Sequence, residues 1–251
     1  MSGHSHWATI RRKKGAADAK RGQLFTRLAR EIVIAAREGG GDPGANTALL
    51  YAIDRARSNN MPKDNIERAI KRGTGELKEG SAIEEINYEG YAPNGIALVI
   101  SCVTDNRNRT VADVRHVLNR YGGSLAEAGA VGWQFTRKSY FEFPLEDRDQ
   151  DAIFELAVEA GADDVSFEDD QAEIVAPLDA FKEINDRLHA ADIQPEDAGL
   201  RMEPNNMLDL PADETLQVLK VIEALEELDD VQDVYHNLNV PDEIWAQLEE
   251  A

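Results

Sequence analysis

The order of strands and helices in the middle of the chain limits the possible folds more than any other feature of the sequence. Residues 138–203 predict a strand, a helix, two strands, a second helix and a last strand. This β-α-β-β-α-β order is typical of a ferredoxin-like fold. The predicted strands are 138–143, 163–168, 171–176 and 199–203, and the predicted helices are 150–160 and 178–190.

The segment before this unit is incomplete by itself. Residues 83–137 predict three strands but a single helix, so one sheet face would lie bare. Because a sheet must bury its apolar face against another element, a further helix is needed. A helix and a strand that could complete the sheet follow the unit, which indicates a domain interrupted by an insertion. The predicted strands are 83–91, 96–104, 131–135 and 231–238, and the helices are 110–121 and 213–228.

The pattern of residues in the first part of the chain predicts helices and no strands. Leu24, Leu28 and Ile32 recur at four-residue spacing within a helix at 16–37, and further helices are expected at 46–58 and from Pro62 to Gly73. We therefore predict an α+β fold with three domains. They are a basic helical domain at 1–80, a discontinuous α/β domain at 81–137 plus 205–251, and an inserted acidic ferredoxin-like domain at 138–204.

The charges are divided unevenly along the chain. Residues 1–75 hold 15 Lys and Arg against 7 Asp and Glu, a net charge of +8, whereas the whole chain carries −21. Residues 76–251 therefore carry −29. A localised positive field attracts polyanions, and a negative remainder discourages wrapping by them. This division predicts a protein that contacts nucleic acid with its N-terminal part.

The densest cationic cluster predicts phosphate contacts. Arg11, Arg12, Lys13 and Lys14 are adjacent and would repel one another unless a polyanion neutralised them. Trp7 could stack on an unpaired base or pack on the helical core, and the sequence leaves both open. The predicted nucleic-acid-binding residues are His4, His6, Trp7, Arg11, Arg12, Lys13, Lys14, Lys20, Arg21, Lys63, Lys71, Arg72, Arg107 and Arg109.

A second segment of interest runs from Thr104 to Thr110, between a predicted strand and a predicted helix. Free amides at this helix start, together with Arg107 and Arg109, would bind an anion. The alternative is a capped loop in which Asp105 pairs internally with an arginine. Thr110 and Asp113 have the spacing of a capping box, which predicts that the helix begins at Thr110.

Catalytic and metal sites are not indicated. No Gly-rich phosphate loop and no nucleophile elbow is present, so we expect no enzyme activity and no cofactor. His4 and His6 lack further ligands at zinc spacing, so no metal is expected. The single Cys102 and the lack of an apolar run of about 20 residues predict a cytoplasmic protein without a membrane span.

Several motifs carry a resemblance to a known family, and together they extend over essentially the full length. They are MSGHSHWATI at 1–10, AKRG at 19–22, NMPKDNI at 60–66, AIKRG at 69–73, YEGYAP at 88–93, TDNRNRT at 104–110, GGSL at 122–125 and VGWQF at 131–135. The chain resembles the YebC/PmpR family, whose members are often labelled probable transcriptional regulatory proteins. His6 and Arg12 stand where Lys and His are more usual in that family.

The resemblance implies three domains and a non-enzymatic role in gene expression, and it leaves two targets open. One is duplex DNA at promoters, as the family label suggests. The other is the ribosome, where some members are proposed to relieve stalled peptide synthesis, and mitochondrial relatives activate translation of cytochrome c oxidase. The absence of an obvious helix-turn-helix and the net charge of −27 on residues 138–251 favour RNA. A pure protein adaptor would instead show no salt-sensitive binding to polyanions.

Overall fold

The computed structural model describes residues 18–77, 83–168, 170–241 and 243–245. The chain forms two compact units, one of Met1–Phe135 with Pro204–Ala251 and one of Thr136–Glu203. We call the second one the inserted unit. The described part of the chain holds no helix that is long and apolar enough to cross a membrane.

Helices and strands follow one another in a mixed order. The helices are α1 (Asp18–Gly39), α2 (Thr47–Ser58), α3 (Lys63–Gly73), α4 (Arg107–Arg120), α5 (Gln150–Glu159), α6 (Phe181–Ala190) and α7 (Ala212–Glu226). The strands are β1 (Glu84–Tyr91), β2 (Ala97–Thr104), β3 (Ser124–Leu125), β4 (Phe135–Pro144), β5 (Asp164–Glu168), β6 (Gln171–Ala176), β7 (Asp197–Pro204), β8 (Leu208–Asp209), β9 (Val231–His236) and β10 (Leu238–Asn239).

The helices α1, α2 and α3 share one apolar core, because their apolar residues recur at helical spacing. Leu28, Ile32, Leu49, Ile53 and Ile66 are all buried there. The predicted all-helical start of the chain is confirmed in the described residues, and Ile83 and Val103 extend its core toward the sheet.

Asn46 connects the first two helices. Its Oδ1 accepts a hydrogen bond from Leu49 N at 3.1 Å, which caps α2, and its Nδ2 donates to Ala35 O at 2.7 Å and Gly40 O at 2.8 Å. Gly39 is needed at this contact, because a Cβ there would lie 2.6 Å from the Asn46 side chain.

The sheet of the first unit has the strand order β3-β1-β2-β9. Strand β2 is antiparallel to β1 and β9, so the sheet joins segments from both sides of the inserted unit. Helices α4 and α7 cover one face, where Val114, Leu118, Val221 and Ile222 pack with Leu98. The helix that follows the insertion therefore supplies the cover that the preceding segment lacks.

The inserted unit has the strand order β5-β6-β4-β7 with helices α5 and α6. This order is that of a ferredoxin-like sheet, so the predicted α+β class is confirmed. Phe141, Phe143, Ile174, Ile184 and Leu188 form the core. The three-domain division with its boundaries stays a prediction, because the structure separates two compact units.

Two local predictions are wrong, and one pair of strands was not predicted. Helix α4 begins at Arg107, because Asn106 rather than Thr110 caps it by accepting from Arg109 N at 3.2 Å. Of the predicted strand 131–135 only Phe135 lies in a strand, as the first residue of β4, since Gly132–Gln134 is a 3-10 turn. Strands β8 and β10 form a short parallel pair that the sequence did not predict.

Candidate nucleic-acid interface

Most of the predicted cationic cluster lies outside the described residues. His4, His6, Trp7 and Arg11 to Lys14 belong to residues 1–17, and the two alternatives for Trp7 stay open. Lys20 and Arg21 lie in the first turn of α1. In the remainder of the chain that the structure describes, no group of three or more His, Cys, Asp or Glu could hold a metal ion.

Helix α3 carries three of the predicted residues, Lys63, Lys71 and Arg72. Lys63 Nζ lies 3.6 Å from Glu67 Oε1, one turn along the helix, and its side chain is 86% exposed. Lys71 is exposed and Arg72 is half-buried. Asp64 and Glu67 lie among these cations, so α3 presents both signs of charge to solvent.

Three further arginines on α1 do not form a free cationic surface. The guanidinium groups of Arg27, Arg30 and Arg37 donate to backbone carbonyl oxygens of Glu226, Asp229 and Ile83, respectively. These hydrogen bonds hold α1 against the end of α7 and the chain before β1. Carbonyl groups at a helix end are good partners for cations because of the helix dipole.

Arg107 and Arg109 both lie in the first turn of α4 and both contact carboxylates. Arg107 Nε lies 3.4 Å from Glu84 Oε2 at a half-exposed site. Arg109 Nη2 lies 2.7 Å from Asp230 Oδ2 and 3.1 Å from Asp105 Oδ1. The structure thus contains the internal pair that the sequence left as an alternative. Phosphate binding by these arginines stays a prediction, and it would compete with three carboxylates.

Trp133 is a surface aromatic residue that the sequence analysis missed, because residues 131–135 looked like a strand. Its side chain is 72% exposed and its indole N–H donates to Ala130 O at 3.0 Å. The Glu89 carboxylate holds the loop by accepting from three backbone N–H groups, at 2.7 Å from Gly129, 2.6 Å from Val131 and 2.8 Å from Gly132. The two glycines in this stretch were the available signal of a loop.

Two family models account for nearly the whole chain. The model described as TACO1/YebC protein N-terminal domain matches residues 5–76, and the model described as TACO1/YebC second and third domain matches residues 83–238. The chain belongs to the TACO1/YebC family. The resemblance found in the sequence motifs is therefore confirmed.

Relatives of known sequence and structure agree with this membership of the TACO1/YebC family. Probable transcriptional regulatory proteins of Chlorobaculum parvum and Chlorobaculum tepidum are 50% and 51% identical, respectively, over 100% of both chains. The crystal structure of a conserved hypothetical protein from Aquifex aeolicus is similar with a TM-score of 0.83 and 42% identity, covering 89% of this chain and 92% of that one. The chain thus shares its fold with the Aquifex aeolicus protein.

Proposed function

We propose that this TACO1/YebC protein is a non-enzymatic, cytoplasmic regulator of gene expression that binds nucleic acid through phosphate contacts. The observation that carries the proposal is the net charge of +8 on residues 1–75 against −29 on the rest. Cations that neutralise phosphates release counterions from the nucleic acid, which favours binding at low salt. The names of the relatives favour transcription, and duplex DNA is the corresponding ligand.

The cationic cluster at Arg11–Lys14 is the best candidate for this contact. Residues 18–77 hold 11 basic and 8 acidic residues, so their charges nearly balance. Three of those basic residues, Arg27, Arg30 and Arg37, already donate to carbonyl groups of the protein. Residues 1–17 carry four Lys and Arg and no carboxylate, which is the densest positive charge in the chain.

The inserted unit is poorly suited to the same ligand. Glu142 and Glu173 face each other across β4 and β6, and both form ion pairs with Arg201. Since Phe141 and Phe143 point into the core, Glu142 lies on the opposite face of the sheet. RNA-binding sheets of this topology stack bases on exposed aromatic side chains. On this face Arg201 lies over the Tyr140 ring, 4.8 Å from its centroid, and so occupies the ring face that a base would need.

A ribosome-associated translation factor is the second candidate function. The mixed charges on α3 argue against its use as a recognition helix in a DNA groove, because Asp64 and Glu67 would approach phosphates. The net charge of −27 on residues 138–251 would suit contact with basic ribosomal proteins. In this function the cationic cluster contacts ribosomal RNA or tRNA.

Competition binding tests both functions. The protein is offered ribosomes and random-sequence duplex DNA at equal phosphate concentration across a series of salt concentrations. Retention on ribosomes at physiological salt, with early loss of DNA, favours the translation factor. Preference for the duplex favours the transcriptional regulator. Binding of neither ligand at low salt contradicts the proposed function.

A charge-matched pair of variants locates the contact. Replacing Arg11, Arg12, Lys13 and Lys14 by Gln should reduce the salt dependence of duplex binding. The slope of the logarithm of the binding constant against the logarithm of the salt concentration should become shallower by up to about 0.9 for each lost phosphate contact. The control replaces four exposed cations elsewhere and should change affinity far less. The control residues are Arg115, Arg137, Lys182 and Lys220. Equal effects of both variants would remove the N-terminal cluster from the mechanism.

A further inference from the structure

A cleft of about 370 Å³ lies between α1 and α3, and its floor is apolar. Val33, Met61, Ala69 and Ile83 line the floor and are buried, and Phe25 beside them is half-buried. The cleft falls within the range of pocket sizes, about 300–1,000 Å³, that bind small molecules. An apolar floor of this kind would accept a flat, weakly polar group.

The shape of the cleft follows from small residues at the helix contact. At one end α3 lies against α1, since a Cβ at Gly73 would be 2.5 Å from Val33 O and 2.7 Å from Ala36 Cβ. In the middle, Ala29 of α1 and Ala69 of α3 both line the cleft. Their methyl groups leave the space between the helices unfilled.

The rim of the cleft is cationic. Arg30, Arg68 and Arg72 line it, and Asp105 is the single carboxylate among the lining residues. Arg30 is held by Asp230 at 3.0 Å, and Asp105 is held by Arg109 at 3.1 Å. Arg72 also lines the cleft, and a guanidinium can bind a phosphate through two parallel hydrogen bonds.

We propose that this cleft binds one unpaired nucleotide of the nucleic acid, with the base on the apolar floor beside Phe25 and a phosphate at Arg72. The inference rests on the proposed function and adds a place where a single-stranded base is held. A paired base could not enter, because it remains stacked in its duplex. Stacking on an aromatic ring and an apolar floor is tolerant of base identity.

Charge complementarity argues against residues 1–17 as the occupant of the cleft. Residues 1–17 carry four cations and no carboxylate, so they would add positive charge to a rim that is already positive. Residues 78–82 contain no large apolar side chain that could fill the floor. A nucleotide supplies both the flat apolar ring and the anion.

The test compares two single strands with the same number of phosphates. Oligothymidine and an abasic strand of equal length are each titrated against the full chain, and fluorescence anisotropy reports binding. The wild type should bind oligothymidine about tenfold more tightly, because only this strand can stack a base. The variant Ala29→Leu fills the cleft and should remove this preference while leaving the melting temperature unchanged or higher.

A pair of adjacent variants tests the phosphate contact. Arg72→Gln removes a charge that lines the cleft, and Lys71→Gln removes an exposed charge from the same helical turn. Arg72→Gln should weaken oligothymidine binding about tenfold, whereas Lys71→Gln should weaken it no more than about twofold. Equal effects of the two variants overturn the assignment of Arg72.

The remaining outcomes separate the cleft from the proposed function. A base preference that survives in Ala29→Leu means that stacking occurs elsewhere and overturns the cleft, although salt-sensitive binding still supports the function. If the preference for oligothymidine appears only after removal of residues 1–10, the N-terminus occupies the cleft in the full chain. This outcome also overturns the proposal that the cleft binds a nucleotide. Binding of neither strand at low salt contradicts the function and the cleft together.

Discussion

Arg30 of α1 and Asp230, the residue before β9, form an ion pair with 3.0 Å between Nη2 and Oδ1. Asp230 is only 5% exposed and also accepts hydrogen bonds from Thr110 Oγ1 at 2.8 Å and Thr104 Oγ1 at 3.1 Å. Arg109 Nη2 lies 2.7 Å from Asp230 Oδ2. One carboxylate thus joins α1, the end of β2 and the start of α4. This side chain fixes the helical region to the sheet together with the hydrogen bonds of Arg27 and Arg37 and the apolar contacts of Val103.

The surroundings of Asp230 lower its pKa. Burial would raise the pKa, but hydrogen bonds from Arg109, Thr110 and Thr104 and the positive charge of Arg30 outweigh it. Because the folded pKa lies below the ordinary value of 3.8, the carboxylate stabilises the fold above that pH. This contribution is present in full at neutral pH and is lost as the pH falls through the folded pKa.

The first prediction concerns the stability that Asp230 provides. Asp230→Asn leaves Arg30 and Arg109 without their shared counter-charge, and we expect a loss of about 3 kcal/mol in the free energy of unfolding. Urea denaturation at pH 7 measures it. The control is Asp54→Asn, whose partner Arg57 is 67% exposed, and it should cost less than about 0.5 kcal/mol. Equal costs in both variants would contradict a stabilising role for the buried network.

The second prediction concerns the loop that carries Trp133. Glu89→Gln replaces one of the two accepting oxygens by an NH2 group, which donates and cannot accept, so at least one of the three hydrogen bonds is lost and the loop should open more often. Hydrogen exchange of the amides of Gly129, Val131 and Gly132 should become faster. Glu85→Gln, an exposed position on the same strand, should leave these rates unchanged. Unchanged rates in Glu89→Gln would mean that other contacts hold the loop.

The third prediction is a pH dependence that originates at His236. Burial lowers the pKa of this imidazole from 6.5 to about 4, and Leu238 N–H donates to its Nδ1 at 3.3 Å. Since the unfolded chain binds the proton more readily, stability should fall as the pH drops from 6.5 to 4. The difference in pKa corresponds to about 3 kcal/mol.

Variants separate this effect from the titration of carboxylates. The loss of stability between pH 6.5 and 4 should be smaller in His236→Asn than in the wild type, by about 3 kcal/mol. His116→Asn, on the exposed side of α4, should behave as the wild type. Denaturant unfolding at each pH gives the values, and parallel curves for all three proteins would contradict the assignment.

Local patterns predicted the elements, but they did not predict contacts between distant segments. The four-residue spacing of Leu24, Leu28 and Ile32 was sufficient for α1 because it reflects a single helix. Asp105 could be offered as a partner of Arg109 because it is close in sequence, but Asp230 could not, since it lies 121 residues further along the chain. The apolar residues at 131–135 suggested a strand, and only the carboxylate of Glu89 on another strand shows why Val131 and Gly132 lie in a loop.

The last prediction is that the inserted unit folds when it is separated from the rest of the chain. Its buried core residues all lie between Phe141 and Ile193, and β4 lies next to β7 in the sheet, which brings the two ends of the unit together. A fragment of residues 136–203 should therefore unfold cooperatively in urea. Its free energy of unfolding should fall by about 1 kcal/mol for each molar increase in urea concentration. Circular dichroism measures the transition.

Two truncations of phenylalanine test whether the isolated fragment has the same core. Phe141→Ala removes a fully buried ring and should destabilise the fragment by about 3–5 kcal/mol, enough to unfold a small domain. Phe154→Ala changes a ring that is 49% exposed and should cost much less. A fragment without a cooperative transition would show that the core depends on the remainder of the chain. Equal effects of the two truncations would show that the fragment is compact without native packing, because only a specific core distinguishes the two rings.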